Sequence, residues 1–209
     1  MNELIIYGDI GESMWGDSVT ASSVKNMLDR MDQGDLTVRI NSPGGSVFDG
    51  FAIYNMIRQR DGKTTVYVDG LAASAASVIA MAGDDVVMGQ ASMLMIHDPY
   101  TMSVGGSEDM RKTADMLDKI KESIVAAYES RSEQGAEIIS QMMTDETWFT
   151  ADESVSMGFA NRVEAGKATV SNLSRPWINK MPETVSGDPA EQNAWRVSLR
   201  SRQLELKAK

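Results

Sequence analysis

Apolar and polar positions change period every ten to fifteen residues over the first 95 positions. Leu4-Ile5-Ile6-Tyr7 is an apolar run of strand length, and 36–40 and 64–68 repeat it. Between these runs, 18–33 carries Val24, Met27, Leu28 and Met31 at helical spacing. Phe48, Phe51, Ala52 and Ile57 mark a second apolar helix face that ends near Arg60-Asp61-Gly62. Asn41-Ser42-Pro43-Gly44-Gly45 breaks the chain between strand and helix. A helix of small residues opens at Gly70 and runs to about Gly83, followed by short strands at 86–88 and 93–96. Alternating strands and helices predict an α/β fold with parallel strands joined by crossovers.

The longest helical signal covers 107–131. Ser107 is its expected N-cap, Glu108 and Asp109 fall in its first turn, and its stripe is Met110, Ala114, Leu117, Ile120, Ile124 and Ala127. At about 1.5 Å per residue such a helix approaches ~40 Å, more than this domain needs internally. Part of it is expected to protrude and meet another copy of the chain. Helices at 136–143 and 152–157 follow, with a turn at Gly158. After Val163 the composition shifts: 164–189, with Pro176, Pro182 and Pro189, reads as an irregular linker, and 190–209 as a basic helical tail. The expected organisation is one domain over 1–163 with these two appendages.

Charge and composition narrow the partners. Residues 1–163 carry 12 Lys and Arg against 25 Asp and Glu, a net of −13, whereas 164–209 carry 8 against 5, a net of +3. So acidic a body repels phosphate backbones, which argues against nucleic acid as a partner. No apolar run reaches the roughly 20 residues that cross a bilayer, and acidic residues near Met1 argue against a secretory signal. A cytoplasmic protein without membrane contact is expected. The chain has no Cys and one His, which removes thiolate and histidine-rich metal sites, and no carboxylate spacing suggests a hard-cation site. No metal and no cofactor are expected.

Candidate chemistry lies at the ends of predicted strands. Ser74 sits among Ala72, Ala73, Ala75 and Ala76 where a strand gives way to a helix, so its hydroxyl would meet a helix N-terminus; tight helix packing alone would also explain these small residues. His97 ends the apolar run 93–96 and precedes Asp98-Pro99, a position where α/β enzymes place working groups. The Pro-Gly-Gly segment could be only a turn, or it could offer backbone N–H groups to an oxyanion. Asp145 and Glu146, beside Trp148, are acids available to orient an imidazole.

In order, these segments resemble the proteolytic subunit of the Clp protease, a serine peptidase family with a ClpP/crotonase-like ββα spiral. Ile40-Asn41-Ser42-Pro43-Gly44-Gly45-Ser46-Val47 and Gly50-Phe51-Ala52-Ile53-Tyr54 resemble its oxyanion loop and following helix. Gly70-Leu71-Ala72-Ala73-Ser74-Ala75 resembles the nucleophile segment, and Met95-Ile96-His97-Asp98-Pro99 the histidine segment. The resemblance covers about 4–163 and implies that 107–131 is the family's long protruding handle helix, which stacks homo-oligomeric rings. It implies Ser74 as nucleophile, His97 as base, Gly45 and Ala75 as oxyanion donors, and an extended substrate bound near Gly44, Gly105 and Gly106. The family acid falls twelve residues before a turn glycine, which from Gly158 gives Glu146 in place of the usual Asp, with Asp145 as the alternative.

Two departures shape the functional expectation. Glu146-Thr147-Trp148 resembles phage-encoded relatives that mature heads, and the first strand begins within about four residues of Met1, without the segment that ATPase-dependent relatives carry ahead of it. The expectation is an ATP-independent head maturation protease acting on capsid or scaffold proteins, procapsid-associated and able to cut its own extension between Gly166 and Asp188. The alternatives are a proteolytic subunit of an ATP-dependent Clp-type protease and a non-catalytic ring-forming scaffold component. A Ser-Lys peptidase or an acyl-CoA enzyme of the spiral fold fits less well, since Lys63 is the only lysine between Lys25 and Lys112.

Overall fold

The structure is a computed structural model, and residues 2–13 and 17–164 are described. Its elements run β1 (Asn2–Ile10), β2 (Ser18–Val19), α1 (Ala21–Leu28), β3 (Leu36–Gly45), α2 (Val47–Arg58), β4 (Thr64–Ala73), α3 (Ala75–Ala80), β5 (Asp85–Gly89), β6 (Met93–Ile96), α4 (Ser107–Glu129), α5 (Ala136–Thr144), β7 (Thr147–Thr150), α6 (Ala151–Ser156) and β8 (Arg162–Glu164). The main sheet has the order β2-β1-β3-β4-β5-β8, all parallel, while β6 branches from β4 and pairs antiparallel with β7.

Alternation with period two decides which side chains enter the core. Leu4 and Ile6 of β1, Leu36, Val38 and Ile40 of β3, and Val66 and Val68 of β4 are buried on one face. Helices cover that face with Val24 and Leu28 from α1, Ile53 and Ile57 from α2, and nearly all of α3. Each such side chain contributes about 1.5–3 kcal/mol when fully removed from water. The opposite face of β1, β3 and β4 is half-exposed. There Tyr7 donates to Asp69 (2.7 Å), Arg39 forks onto the same carboxylate, and the guanidinium lies over the Tyr67 ring.

One strand organises the site. Through Thr65–Val68 β4 pairs with β5; after its register shifts, Leu71, Ala72 and Ala73 pair instead with Met93, Leu94 and Met95 of β6. The small side chains of 70–76, expected to form a helix, therefore begin as strand, and only Ala75 onward is helical. Ala72 and Ala73 are fully buried where β6 and α3 converge, so tight packing selects their size.

Other boundaries also move. Asn41–Gly45 does not break the chain but continues β3, because Tyr7, Asp9 and Ile10 of β1 pair with Asn41, Gly44 and Gly45. The helix expected over 18–33 is shorter: Ser18 and Val19 pair with Asp9 and Ile10, and Thr20 caps α1 by accepting from Ser23 N–H. β7 had no strand prediction, and it is antiparallel in a sheet expected to be parallel throughout.

The long helix begins at Ser107, as predicted, and ends at Glu129, just inside the predicted range. Its N-cap is Gly106 rather than Ser107, since Asp109 accepts the Gly106 N–H at 3.0 Å and closes the first turn. Its stripe is split along its length. Ile120, Ile124, Val125 and Tyr128 are buried against the body, while nothing before Ile120 is buried, Leu117 is intermediate, and Met110 and Met116 are 37% and 44% exposed. The first half of α4 thus protrudes. The linker and tail expected over 164–189 and 190–209 lie outside the described residues apart from Glu164, which closes β8.

Candidate active site

Strand register alone converges three side chains. Ala73 is partnered by Met95, so Ser74 and the residues following Met95 leave adjacent parallel strands at the same level. Ile96 is partnered by Thr147, so His97 and Glu146 face one another across the antiparallel pair β6 and β7. His97 Nε2 lies 2.7 Å from Ser74 Oγ.

Ser74 stands at a sharp turn from β4 into α3, with φ 54° and ψ −125°. Its N–H donates to Met95 carbonyl, and its own carbonyl accepts from Ser77 N–H and Ser77 Oγ. Ser77 Oγ is also 2.8 Å from Met95 O and 2.8 Å from the Tyr128 hydroxyl. Because its one proton goes to a carbonyl, the Tyr128 phenol is the donor to Ser77. Tyr128 is wholly buried, and burial raises its pKa, so it remains a neutral donor. The underside of the Ser74 turn is thereby tied to α4.

Among the described residues, the non-glycine positions with positive φ are Ser74 and Glu146. Each such conformation costs on the order of 1–3 kcal/mol and persists only where surrounding structure enforces it. Glu146 follows the C-cap Asp145 of α5 at φ 48°, where glycine is usual, and its N–H donates to Met143 carbonyl. Its Oε1 accepts from Trp148 Nε1 at 3.3 Å. Trp148 packs with Leu71, Ala73 and Met95 beneath the site.

Burial lowers the His97 pKa below 6.5, while the negative charges of Glu146 and Asp98 act in the opposite direction. The imidazole is therefore neutral near physiological pH, the form able to accept a hydroxyl proton. Asp145 is exposed and accepts from Gln141 Nε2 on its own helix. Glu146, one of the two acids read from the sequence, is a negative charge that acts on His97.

The Pro-Gly-Gly segment lies beside Ser74. A Cβ built on Gly44 would come 2.6 Å from Ala73 O, 2.7 Å from Ser74 Cβ and 3.0 Å from Ala75 N, so only glycine lets β3 approach so closely. Gly44 N–H is already donated to Ser42 Oγ at 3.1 Å. Gly45 is exposed, and Ala75 N–H opens α3, where no intrahelical acceptor is available to it. Gly105 packs on Asp109, and Gly106 N–H is committed to that carboxylate, so neither forms part of a regular strand. Lys63 lies at the opposite end of β4 from Ser74.

Two neighbours had not been singled out from sequence. Tyr100, 72% exposed, sets its ring edge-on to His97 with centroids 5.6 Å apart. Asp98 bonds outward to α4 and α5. Their only sequence signal is proximity to His97 in a segment turned by Pro99.

Fold and site together define a mixed α/β class in which a serine at a strained strand-to-helix turn meets a histidine that follows the neighbouring strand β6. The Clp protease family model matches residues 6–167. The chain is 36% identical over 131 residues to an ATP-dependent Clp protease proteolytic subunit 1 from Chlamydia abortus, covering 59% of this chain and 67% of the relative. It is 30% identical over 167 residues to the proteolytic subunit from Pleurastrum terricola, covering 78% and 84%. A ClpP1 mutant from Listeria monocytogenes superposes with a TM-score of 0.69 at 23% identity, covering 79% of this chain and 92% of the other, which shows the shared fold. The chain belongs to the Clp protease family and is a serine peptidase with the mixed α/β fold expected from its motifs.

Proposed function

We propose that this chain is an endopeptidase subunit in which Ser74 attacks the scissile carbonyl, His97 takes the hydroxyl proton and returns it to the leaving amine, and Glu146 stabilises the imidazolium between these steps. The observation that carries this reading is the 2.7 Å approach of His97 Nε2 to Ser74 Oγ at a strained turn, with Glu146, also at positive φ, opposite. Backbone N–H groups of Gly45 and Ala75 would hold the tetrahedral oxyanion, a contribution of about 3 kcal/mol per donor in comparable sites. Water then hydrolyses the acyl-serine, with His97 as base again.

The substrate is a polypeptide in extended form, lying between the 41–45 segment and the 98–106 loop, where main-chain bonds give affinity with loose sequence preference. Copies of the chain would assemble into rings, with the protruding half of α4 meeting its counterpart. The names of the relatives favour the proteolytic subunit of an ATP-dependent protease over a head maturation enzyme. Glu146-Thr147-Trp148 keeps the second reading in view, since the indole bond to Glu146 belongs to the variant that resembles phage relatives.

One assay separates the two. A folded substrate is incubated with the purified chain alone, and with a Clp-type unfoldase and ATP, in parallel with Ser74→Ala. Cleavage only in the complete mixture, absent in Ser74→Ala, is the expected result. Equal cleavage of capsid protein without ATP would favour head maturation. Absence of both cleavage and fluorophosphonate labelling at Ser74 would leave a non-catalytic ring component.

A further inference from the structure

Asp98 directly follows His97, and its carboxylate is held from two sides. Lys121, on the second half of α4, places Nζ 2.8 Å from Oδ1. Thr144, the last residue of α5, places Oγ1 3.0 Å from Oδ2, its proton shared with Ser140 carbonyl at 3.1 Å. Lys121 Nζ also donates to Thr144 Oγ1 at 2.8 Å, which closes a three-membered ring of polar contacts. The backbone adds a further tie, because Asp98 N–H donates to Met143 carbonyl at 3.0 Å. The residue after His97 is thus joined to the residues just before Glu146, with α4 as the third member.

Stability is a poor account of this arrangement. The Lys121 and Asp98 side chains are 22% and 38% exposed, and ion pairs this accessible add little to folding once ordering a long lysine is counted. What the contacts do accomplish is geometric. His97 and Glu146 sit on separate turns, His97 next to Asp98 and Glu146 two residues after Thr144, so the ring sets the spacing of the two turns. It also balances charge: Asp98 favours the imidazolium, and Lys121 offsets Asp98.

We propose that Asp98 is a positioning residue of this active site, clamped by Lys121 and Thr144 so that the His97 turn is held against the Glu146 turn, and that α4 is thereby part of the catalytic scaffold as well as a protruding arm. The proposal rests on the peptidase reading of Ser74 and His97.

The test uses the full chain and compares peptide hydrolysis by wild type, Asp98→Asn, Lys121→Met, Lys121→Arg and the Asp98→Asn/Lys121→Met pair. Loosening either member should lower kcat by roughly tenfold to a hundredfold with KM little changed, as expected when reacting groups are misplaced by a fraction of an ångström to an ångström. The paired variant should lose no more than the worse single variant, because both act through one contact. Lys121→Arg should recover most of the turnover lost in Lys121→Met.

The pH profile separates positioning from simple damage. The charged groups facing His97 are Glu146 from the α5–β7 turn and Asp98 on its own segment, with Lys121 of α4 facing Asp98. Removing the Asp98 charge leaves the imidazolium less stabilised, so the acid limb of kcat/KM moves to lower pH. Removing Lys121 leaves Asp98 uncompensated, so the limb moves to higher pH. Limbs that do not separate in these directions, or turnover within twofold of wild type in both single variants, would overturn the proposal. Should Asp98→Asn fail to fold by circular dichroism, Lys121→Met and its arginine rescue decide alone. Fluorophosphonate labelling of wild type keeps the two levels apart: labelled wild type with indifferent variants defeats only the positioning role, whereas unlabelled, inactive wild type defeats the peptidase reading and this one with it.

Discussion

Replacing Gly44 with alanine tests how closely the Pro-Gly-Gly segment is fitted to Ser74. The added methyl would sit 2.6 Å from Ala73 O and 2.7 Å from Ser74 Cβ, and the backbone there has φ +92°, which disfavours any L side chain. Relieving both contacts requires β3 or the Ser74 turn to retreat by the better part of an ångström. Backbone strain of about 1 kcal/mol and overpacking of about 1–3 kcal/mol together predict a loss of ~2–4 kcal/mol. At roughly 2–4 °C per kcal/mol for a chain of this size, Tm should fall by about 4–16 °C by differential scanning fluorimetry. Activity should fall further than stability explains, by about a hundredfold, because the displaced atoms carry the nucleophile. Gly34→Ala supplies the control: its φ is +114°, but nothing lies within 4 Å, so it should show strain alone and full turnover. If Gly44→Ala matches Gly34→Ala in both Tm and turnover, the close approach of β3 to Ser74 does not exist in the working protein.

Glu146→Gln keeps shape and removes charge, so it should lower kcat at least tenfold, while Asp145→Asn, at the exposed C-cap of α5, should stay within twofold; peptide hydrolysis with the reverse order would transfer the acid to Asp145. If neutral His97 is the base, as proposed, then with its pKa lowered by burial kcat/KM should be flat near neutrality with an acid midpoint below 6.5, and a midpoint above 6.5 would refute the buried site. The same depressed pKa means the unfolded chain binds this proton more readily, so the contribution of His97 to stability is full above 6.5 and declines as pH falls towards its folded value, which denaturant titrations of wild type and His97→Gln at two pH values would reveal.

Much of this protein was legible in the sequence because its signals are local. The alternating buried positions of β1, β3 and β4 and the α2 face follow from periodicity, which records burial directly. Ser74, His97 and the Pro-Gly-Gly segment stood out as motifs whose order implied a serine peptidase, and family, fold and enzyme class agree with that expectation. Tertiary structure alone decided the rest. That Asn41–Gly45 is strand, and that 70–73 is strand before it is helix, depends on hydrogen bonds to β1 and β6, partners far away in sequence that no local window contains. β7 is four residues long and becomes a strand by pairing with β6. The division of α4 into a protruding half and a packed half is equally invisible to periodicity, because one apolar stripe serves both. The backbone that distinguishes the adjacent acids is likewise tertiary: Asp145 caps α5, and Glu146 after it takes a positive φ that no local sequence pattern announced.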